Sequence, residues 1–277
     1  MESFINIEES EFLMDWYRLP QVKFNLIKYL YNRELVFLVP VHEIKDGFRG
    51  MRNFRCHNVQ SLDFYMNYLK VFKDKRKLNL YYSVAKFKDG VPKRDYHINS
   101  FSMDKWNREC WKDIVAYDFI IDIDCNNDKE ISKAYKSAQL VKMHLDEKNI
   151  PYELRFSGRG FHFVISYDCL DVEHLSFNPK DKDSIYSAFK DIAKLYSKKF
   201  SNMVDTTIYD ARRIIKIPYS VSFYKNSSRL CLPLDEGHFN DFTIHKFHIA
   251  SSGLEMMPYI FNKNKILSKK IPLEMLE

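Results

Sequence analysis

An α+β fold, a mixed sheet with helices on its outer side, is predicted by three features of the 277-residue sequence. Residues 117–124 alternate between two faces in the way a strand does, with Phe119, Ile121 and Ile123 on one and Asp118, Ile120, Asp122 and Asp124 on the other. Segments before and after it carry apolar residues at the three- and four-residue spacing of amphipathic helices. Through the middle of the chain strand and helix patterns alternate, and no repeat, low-complexity tract or Gly/Ser linker divides it. One domain follows.

The elements can be justified in order. From Glu11 to about Asn32, Phe12, Leu13, Trp16 and Leu19, then Phe24, Leu26, Ile27 and Leu30, predict two helices interrupted at Pro20. Residues 61–72 form a further amphipathic pattern, followed by the basic run Lys73, Lys75, Arg76, Lys77 and a β-rich stretch from Leu80 to Phe87. After the strand at 117–124, Asn126, Asn127 and Asp128 are candidate caps for a helix marked by Ile131, Ala134, Ala138, Val141 and Leu145 and ended near Asn149 and Pro151. Residues 152–156 and 161–166 read as strands joined by Ser157-Gly158-Arg159-Gly160. Residues 184–200 predict another helix. Residues 214–222 and 230–234 predict strands, with Asn226-Ser227-Ser228 as the turn between them.

Composition narrows the function classes. With 45% hydrophobic and 16% aromatic residues and 7 glycines, against about 19 at average usage, the chain is neither disordered nor collagenous. A net charge of +6 suits a polyanionic partner without requiring one. The five cysteines are odd in number, scattered and never in a C-x-x-C pair, which gives neither a disulfide framework nor a recognisable zinc site and implies a reducing, intracellular setting. No export signal opens the sequence, and its most apolar run, residues 35–41, falls far short of the roughly 20 residues that span a bilayer. No membrane association is expected.

Three constellations could carry chemistry. Asp122 and Asp124 are two apart on a strand, hence on one face and about 6.6 Å apart, where both carboxylates can reach one divalent cation or a pair of them. Alternatively they line a solvated sheet edge. Ser157-Gly158-Arg159-Gly160-Phe161-His162 offers a hydroxyl, a glycine turn, a guanidinium and an imidazole, the donors a phosphate chain needs, although an ordinary hairpin turn has the same look. Asp205, followed by Arg212, Arg213 and Lys216 and then Pro218-Tyr219-Ser220, could add a third metal ligand with bases turned toward phosphate, or a structural ion pair. The clusters Arg49, Arg52, Arg55 and Lys70, Lys73, Lys75, Arg76, Lys77 could track a nucleic-acid backbone or form solvated faces, and Trp106 and Trp111 could stack on bases or fill a core.

The order of these groups carries more than each one alone. A hydrophobic strand ending in Asp122-x-Asp124, then Ser157-Gly158-x-Gly160-x-His162, then Asp205 with Arg213-Ile214-Ile215-Lys216-x-Pro218-x-Ser220, resembles the archaeo-eukaryotic primase superfamily, either the catalytic small subunit of primase or a free-standing primase-polymerase. The likeness runs from about Asn25 to Asp235, with weaker matches at Tyr31-x-Arg33-Glu34-x-x-Phe37 and Leu80 to Ala85. It implies a primase-type catalytic core in which residues 1–110 form an amino-terminal lobe and 111–235 carry the motifs. It implies that Asp122, Asp124 and Asp205 bind two Mg²⁺ or Mn²⁺ ions and that Ser157, Arg159, His162, Arg213 and Lys216 face the triphosphate. The activity implied is template-directed nucleotidyl transfer on single-stranded DNA. The implied partners are the template, nucleoside triphosphates, and a primase large subunit or other replication protein.

Two departures from the pattern are visible within these motifs. No cluster of cysteines and histidines marks a zinc site. Many members of the superfamily place a histidine two residues beyond the Pro-x-Ser serine, where this chain has Ser222, and Arg229 is the candidate replacement. Two other classes compete with the primase reading. A metal-dependent glycosyltransferase also uses Asp-x-Asp but leaves Asp205 and the 157–162 turn unexplained. A catalytically inactive nucleic-acid-binding module has no need of three intact acids.

Overall fold

A computed structural model of the chain describes residues 15–40, 48–71, 79–92, 109–125, 127–224, 227–247 and 270–277. In chain order the first elements are α1 (Pro20–Leu30), β1 (Glu34–Pro40), β2 (Phe48–Arg55), α2 (Val59–Val71), β3 (Asn79–Ser83) and β4 (Ala85–Phe87). The middle contributes β5 (Ile114–Tyr117), β6 (Phe119–Ile123), α3 (Ile131–Glu147), β7 (Glu153–Phe156), β8 (Phe161–Ile165) and α4 (Ile185–Lys199). The last are β9 (Ile214–Lys216), β10 (Val221–Tyr224), β11 (Ser227–Leu230), β12 (Leu232–Pro233) and α5 (Glu236–Asn240). Helices and several antiparallel sheets make the fold α+β, as the sequence pattern predicts.

The chain divides into two compact units. The first takes the described residues of Met1–Ser83, Phe156–Gly158 and Ile214–Asn262. Its sheet runs β2-β1-β3-β9, with β1 antiparallel to both β2 and β3, and β3 antiparallel to β9. Pro20 opens α1, where its missing N–H costs nothing, and Val22, Leu26 and Leu30 bury one stripe of that helix. Ahead of it, the Trp16 indole donates to the Tyr219 carbonyl at 2.8 Å, and the Tyr17 hydroxyl accepts from the Val221 N–H at 2.9 Å. Burial drives the Tyr17 phenol well above its ordinary pKa.

The second unit takes the described residues of Val84–Arg155, Arg159–Arg213 and Lys263–Glu277. β6 and β8 pair antiparallel, with Phe119 opposite Ile165 and Ile123 opposite Phe161, and β7 lies on the other side of β8. β4 pairs antiparallel with β5. Parallel contacts occur in this unit as isolated bridges, Leu170 to Ile271 and Ser176 to Ser184. The helices expected from Ile131 to about Asn149 and at 184–200 form within a residue or two of their predicted bounds. α3 buries Ala134, Ala138, Val141 and Leu145, and α4, capped by the Ser184 hydroxyl on the Ser187 N–H, buries Tyr186, Phe189, Ile192 and Tyr196. Phe119 sits among the rings of Phe189, Tyr196 and Tyr209. Both faces of β6 are covered, since Ile120 is as buried as Ile121. Among the described residues no helix is long and apolar enough to cross a membrane.

Two strand expectations need correction. The single strand expected at 214–222 is two: β9 pairs with β3 through Lys216 opposite Tyr81, and β10 pairs with β11 through Ser222 opposite Arg229. Between them Pro218 has no N–H to give a ladder, and Tyr219 adopts a left-handed φ of 66°, its N–H donating to the Cys231 carbonyl at 2.7 Å. The stretch from Leu80 to Phe87 likewise breaks after Ser83, where the chain leaves one sheet pairing for another. Of the expected turn 226–228, Ser227 and Ser228 are paired in β11 and Asn226 lies outside the described residues.

Candidate active site

In the second unit, antiparallel register joins two motifs that lie 40 residues apart in sequence: Asp122 of β6 is directly opposite His162 of β8. Cross-strand partners share a face, and the His162 Nε2 lies 3.3 Å from Asp122 Oδ1. Both side chains are largely buried, at 6% and 14% exposure. Asp122 Oδ1 and His162 Nδ1 are each buried without a hydrogen-bond partner. A buried carboxylate oxygen that accepts no hydrogen bond is costly unless positive charge meets it.

The third acid reaches the same strand end through the backbone. Residues 203–205 run antiparallel past the end of β6: the Asp205 N–H donates to the Asp122 carbonyl at 2.8 Å, the Asp124 N–H donates to the Met203 carbonyl at 3.3 Å, and Ile123 bridges Val204. Asp205 Oδ1 accepts from the N–H and the hydroxyl of Thr207, both at 2.7 Å, which fixes its carboxylate in an Asx turn. Tyr209 packs beneath, its hydroxyl donating to the Ile120 carbonyl at 2.6 Å. Burial, and then the charges of Asp122 and Asp205, hold its phenol well above the ordinary tyrosine pKa, so it stays a neutral donor. Sequence reasoning missed Tyr209; its one local signal is its place four residues after Asp205.

Asp124 has a different neighbour. The Arg159 guanidinium makes a two-point ion pair with it, Nη2 to Oδ2 and Nε to Oδ1. Gly160 explains why Arg159 arrives there: a Cβ on residue 160 would lie 2.0 Å from the Ile123 carbonyl oxygen and 3.1 Å from Asp124 Cα, so only glycine lets the turn rest on the end of β6. Cys125 fastens the same turn, its thiol donating to the Arg159 carbonyl at 2.7 Å.

The donors suit a hard divalent cation: oxygen ligands, carboxylate charge, and a buried Asp122 Oδ1 that accepts no hydrogen bond and has the His162 ring nitrogen 3.3 Å away. Even so, among the described residues no group of three or more His, Cys, Asp or Glu side chains is already arranged to hold a metal ion. Arg159 accounts for part of this, since it supplies the positive charge at Asp124. Asp122 and Asp205 are adjacent through their backbones.

The remaining sequence-derived candidates serve other contacts. Arg213 wraps the turn after Asp205, donating to the carbonyls of Ile208 and Thr207 at 2.9 Å each and pairing with Asp210 at 3.1 Å. In the first unit, Lys216 is 4% exposed, its ammonium on Asn79 Oδ1 and 4.6 Å from the centre of the Tyr81 ring. Asn79 also accepts from the Phe223 N–H at 2.9 Å, a polar hub that no sequence motif announces. Ser157 is buried, Gly158 has a φ of 94°, and Arg229 donates to the Gly158 carbonyl at 3.0 Å. Trp111 is half-buried. The run from Lys73 to Lys77 and Trp106 lie outside the described residues.

No protein-family model matches the chain, and no curated protein matches it. Among solved structures it is similar to the polymerase domain of Mycobacterium tuberculosis Ligase D in complex with DNA, with a TM-score of 0.51 and 10% identity over 83% of this chain and 82% of that one. It also matches primase RepB′, with a TM-score of 0.39 and 8% identity over 86% of this chain and 60% of that one. A third match is the catalytic domain of RepB′ in complex with initiator DNA, with a TM-score of 0.40 and 9% identity over 86% of this chain and 91% of that one. At such identities the first likeness speaks for the fold alone: this chain shares the fold of the Ligase D polymerase domain.

Proposed function

We propose that this chain is a DNA-directed nucleotidyltransferase of the primase-polymerase type, joining nucleotides on a single-stranded DNA template. The observation that carries the reading is the buried Asp122–His162 pair, whose carboxylate oxygen accepts no hydrogen bond, tied by a backbone hydrogen bond to Asp205. The shared fold with a DNA-bound polymerase domain supports the same class.

In the proposed reaction a 3′-hydroxyl oxygen attacks the α-phosphorus of a nucleoside triphosphate, and the bond to pyrophosphate breaks. Asp122, Asp124 and Asp205 would hold two Mg²⁺ or Mn²⁺ ions, whose chemistry is to activate the hydroxyl and stabilise the leaving pyrophosphate. The chain's own residues do the rest. Asp122 and Asp205 concentrate negative charge at one strand end, which favours cation uptake. His162, fixed by the β6–β8 register, is a donor for a phosphate oxygen, and the 157–160 turn adds Ser157 and Arg159. Such rigid placement lets positioning and electrostatics supply most of the rate. A primase large subunit or another replication protein is the proposed macromolecular partner besides the template.

The test is incubation of the chain with single-stranded templates, ribo- or deoxyribonucleoside triphosphates, and Mg²⁺ or Mn²⁺, with products resolved on a denaturing gel. Template-dependent products are expected. Their absence in every combination, or release of sugar from a nucleotide-sugar instead, would overturn the proposal.

A further inference from the structure

In the first unit, β10 and β11 form a two-stranded ribbon in which Arg229 is directly opposite Ser222, so both side chains leave the same face. That face meets the Ser157-Gly158 turn. A Cβ built on Gly158 would lie 2.5 Å from Ser222 Cβ, 2.9 Å from its Oγ and 3.8 Å from Arg229 Cβ, and the glycine's φ of 94° excludes most other residues in any case. Arg229 is 1% exposed, among the largest fully buried side chains, and its Nη1 donates to the Gly158 carbonyl at 3.0 Å.

A guanidinium at this depth is poorly placed to meet a solvent-borne phosphate, and well placed to fix a peptide plane. With a positive φ at Gly158, the direction of its carbonyl sets the direction of the next N–H, because the peptide unit is planar. We infer that Arg229 is a positioning residue: by holding the Gly158 carbonyl it orients the Ser157-Gly158 turn toward the nucleotide triphosphate. Ser222, small and flush against Gly158, makes the room, and the opposite strand supplies the grip. This rests on the proposed function, in which the turn faces phosphate, and differs from a direct phosphate contact by Arg229.

A double-mutant cycle on the full chain separates these roles, reading equilibrium binding of ATP and dATP with Mn²⁺ alongside thermal unfolding. Ser157→Ala and Arg229→Ala should each weaken binding about tenfold, and the double variant should be no weaker than the worse single within about twofold, since one residue acts through the other. Arg229→Gln, which drops the charge and keeps a donor, should bind within about threefold of the parent. It also decides the matter if Arg229→Ala fails to fold. Additive losses, or Gln as weak as Ala, would make Arg229 a phosphate ligand and overturn the inference alone. A lower melting temperature with parental nucleotide affinity would reduce it to a structural residue. Parental affinity in Ser157→Ala would remove the turn from the phosphate site, and the inference with it.

Discussion

Replacing Gly160 with alanine would put a methyl carbon 2.0 Å from the Ile123 carbonyl oxygen and 3.0 Å from its carbon, where ordinary contact begins at 3.4 Å. The turn would have to retreat from the end of β6 by about 1.4 Å. Neither side yields easily, because Ile123 is paired with Phe161 on one flank and bridged to Val204 on the other. Overpacking against backbone costs roughly 1–3 kcal/mol, and in a chain of this size each kcal/mol lowers the melting temperature by about 2–4 °C. A fall of roughly 2–12 °C is therefore expected. Activity should suffer more: the same retreat carries Arg159 away from the acids, and misplacement by about 1 Å costs on the order of a hundredfold in rate. The assay is thermal unfolding together with primer extension at 20–25 °C, well below the transition. Gly237→Ala in α5 is the control, since its Cβ would meet only Asp235 Oδ1, at 3.5 Å, and alanine favours the helix. Gly160→Ala with parental melting and extension would refute the idea that this turn's contact with β6 builds the site.

Arg159→Ala should tighten Mn²⁺ binding in the absence of nucleotide by about two- to fivefold, as expected when a partly exposed ion pair no longer competes for Asp124, and paramagnetic resonance would read it; unchanged or weaker binding would contradict the competition. Burial, and then the nearby Lys199 and Lys148, hold the His144 pKa below its ordinary value. The unfolded chain therefore takes up that proton first, and stability present above about pH 6.5 is lost as pH falls through the lower folded value. His144→Phe should flatten the acid-side decline in melting temperature, and an unaltered slope would count against it. A washed sample should carry no stoichiometric zinc by metal analysis, and one equivalent resistant to mild chelation would reveal ligands converging from distant positions.

Local patterns were legible where one residue's neighbours in sequence are also its neighbours in space. Ala134, Ala138, Val141 and Leu145 spaced a helix, because helical contacts span three or four residues. Asp122 and His162 were each readable as candidates, but their opposition depends on the register of two strands, which the alternation of Phe119, Ile121 and Ile123 constrains without numbering. The break at Pro218-Tyr219 stayed hidden within a strand-like run, since a left-handed tyrosine is held by a distant carbonyl, that of Cys231. Arg159 on Asp124, Lys216 on Asn79 and Arg229 on Gly158 are choices of partner made in three dimensions among several basic and acidic groups, and spacing along the chain cannot rank them.

The central claim is tested most directly by template-directed incorporation in the parent chain and in Asp122→Asn and Asp205→Asn, with released pyrophosphate counted against nucleotide added. The account predicts one pyrophosphate per nucleotide in the parent, products complementary to the template, and loss of both signals in each variant while far-ultraviolet circular dichroism stays parental, because the amide keeps the volume and removes the charge that a hard cation needs. Near-parental incorporation by either folded variant, or pyrophosphate release independent of template, would contradict it.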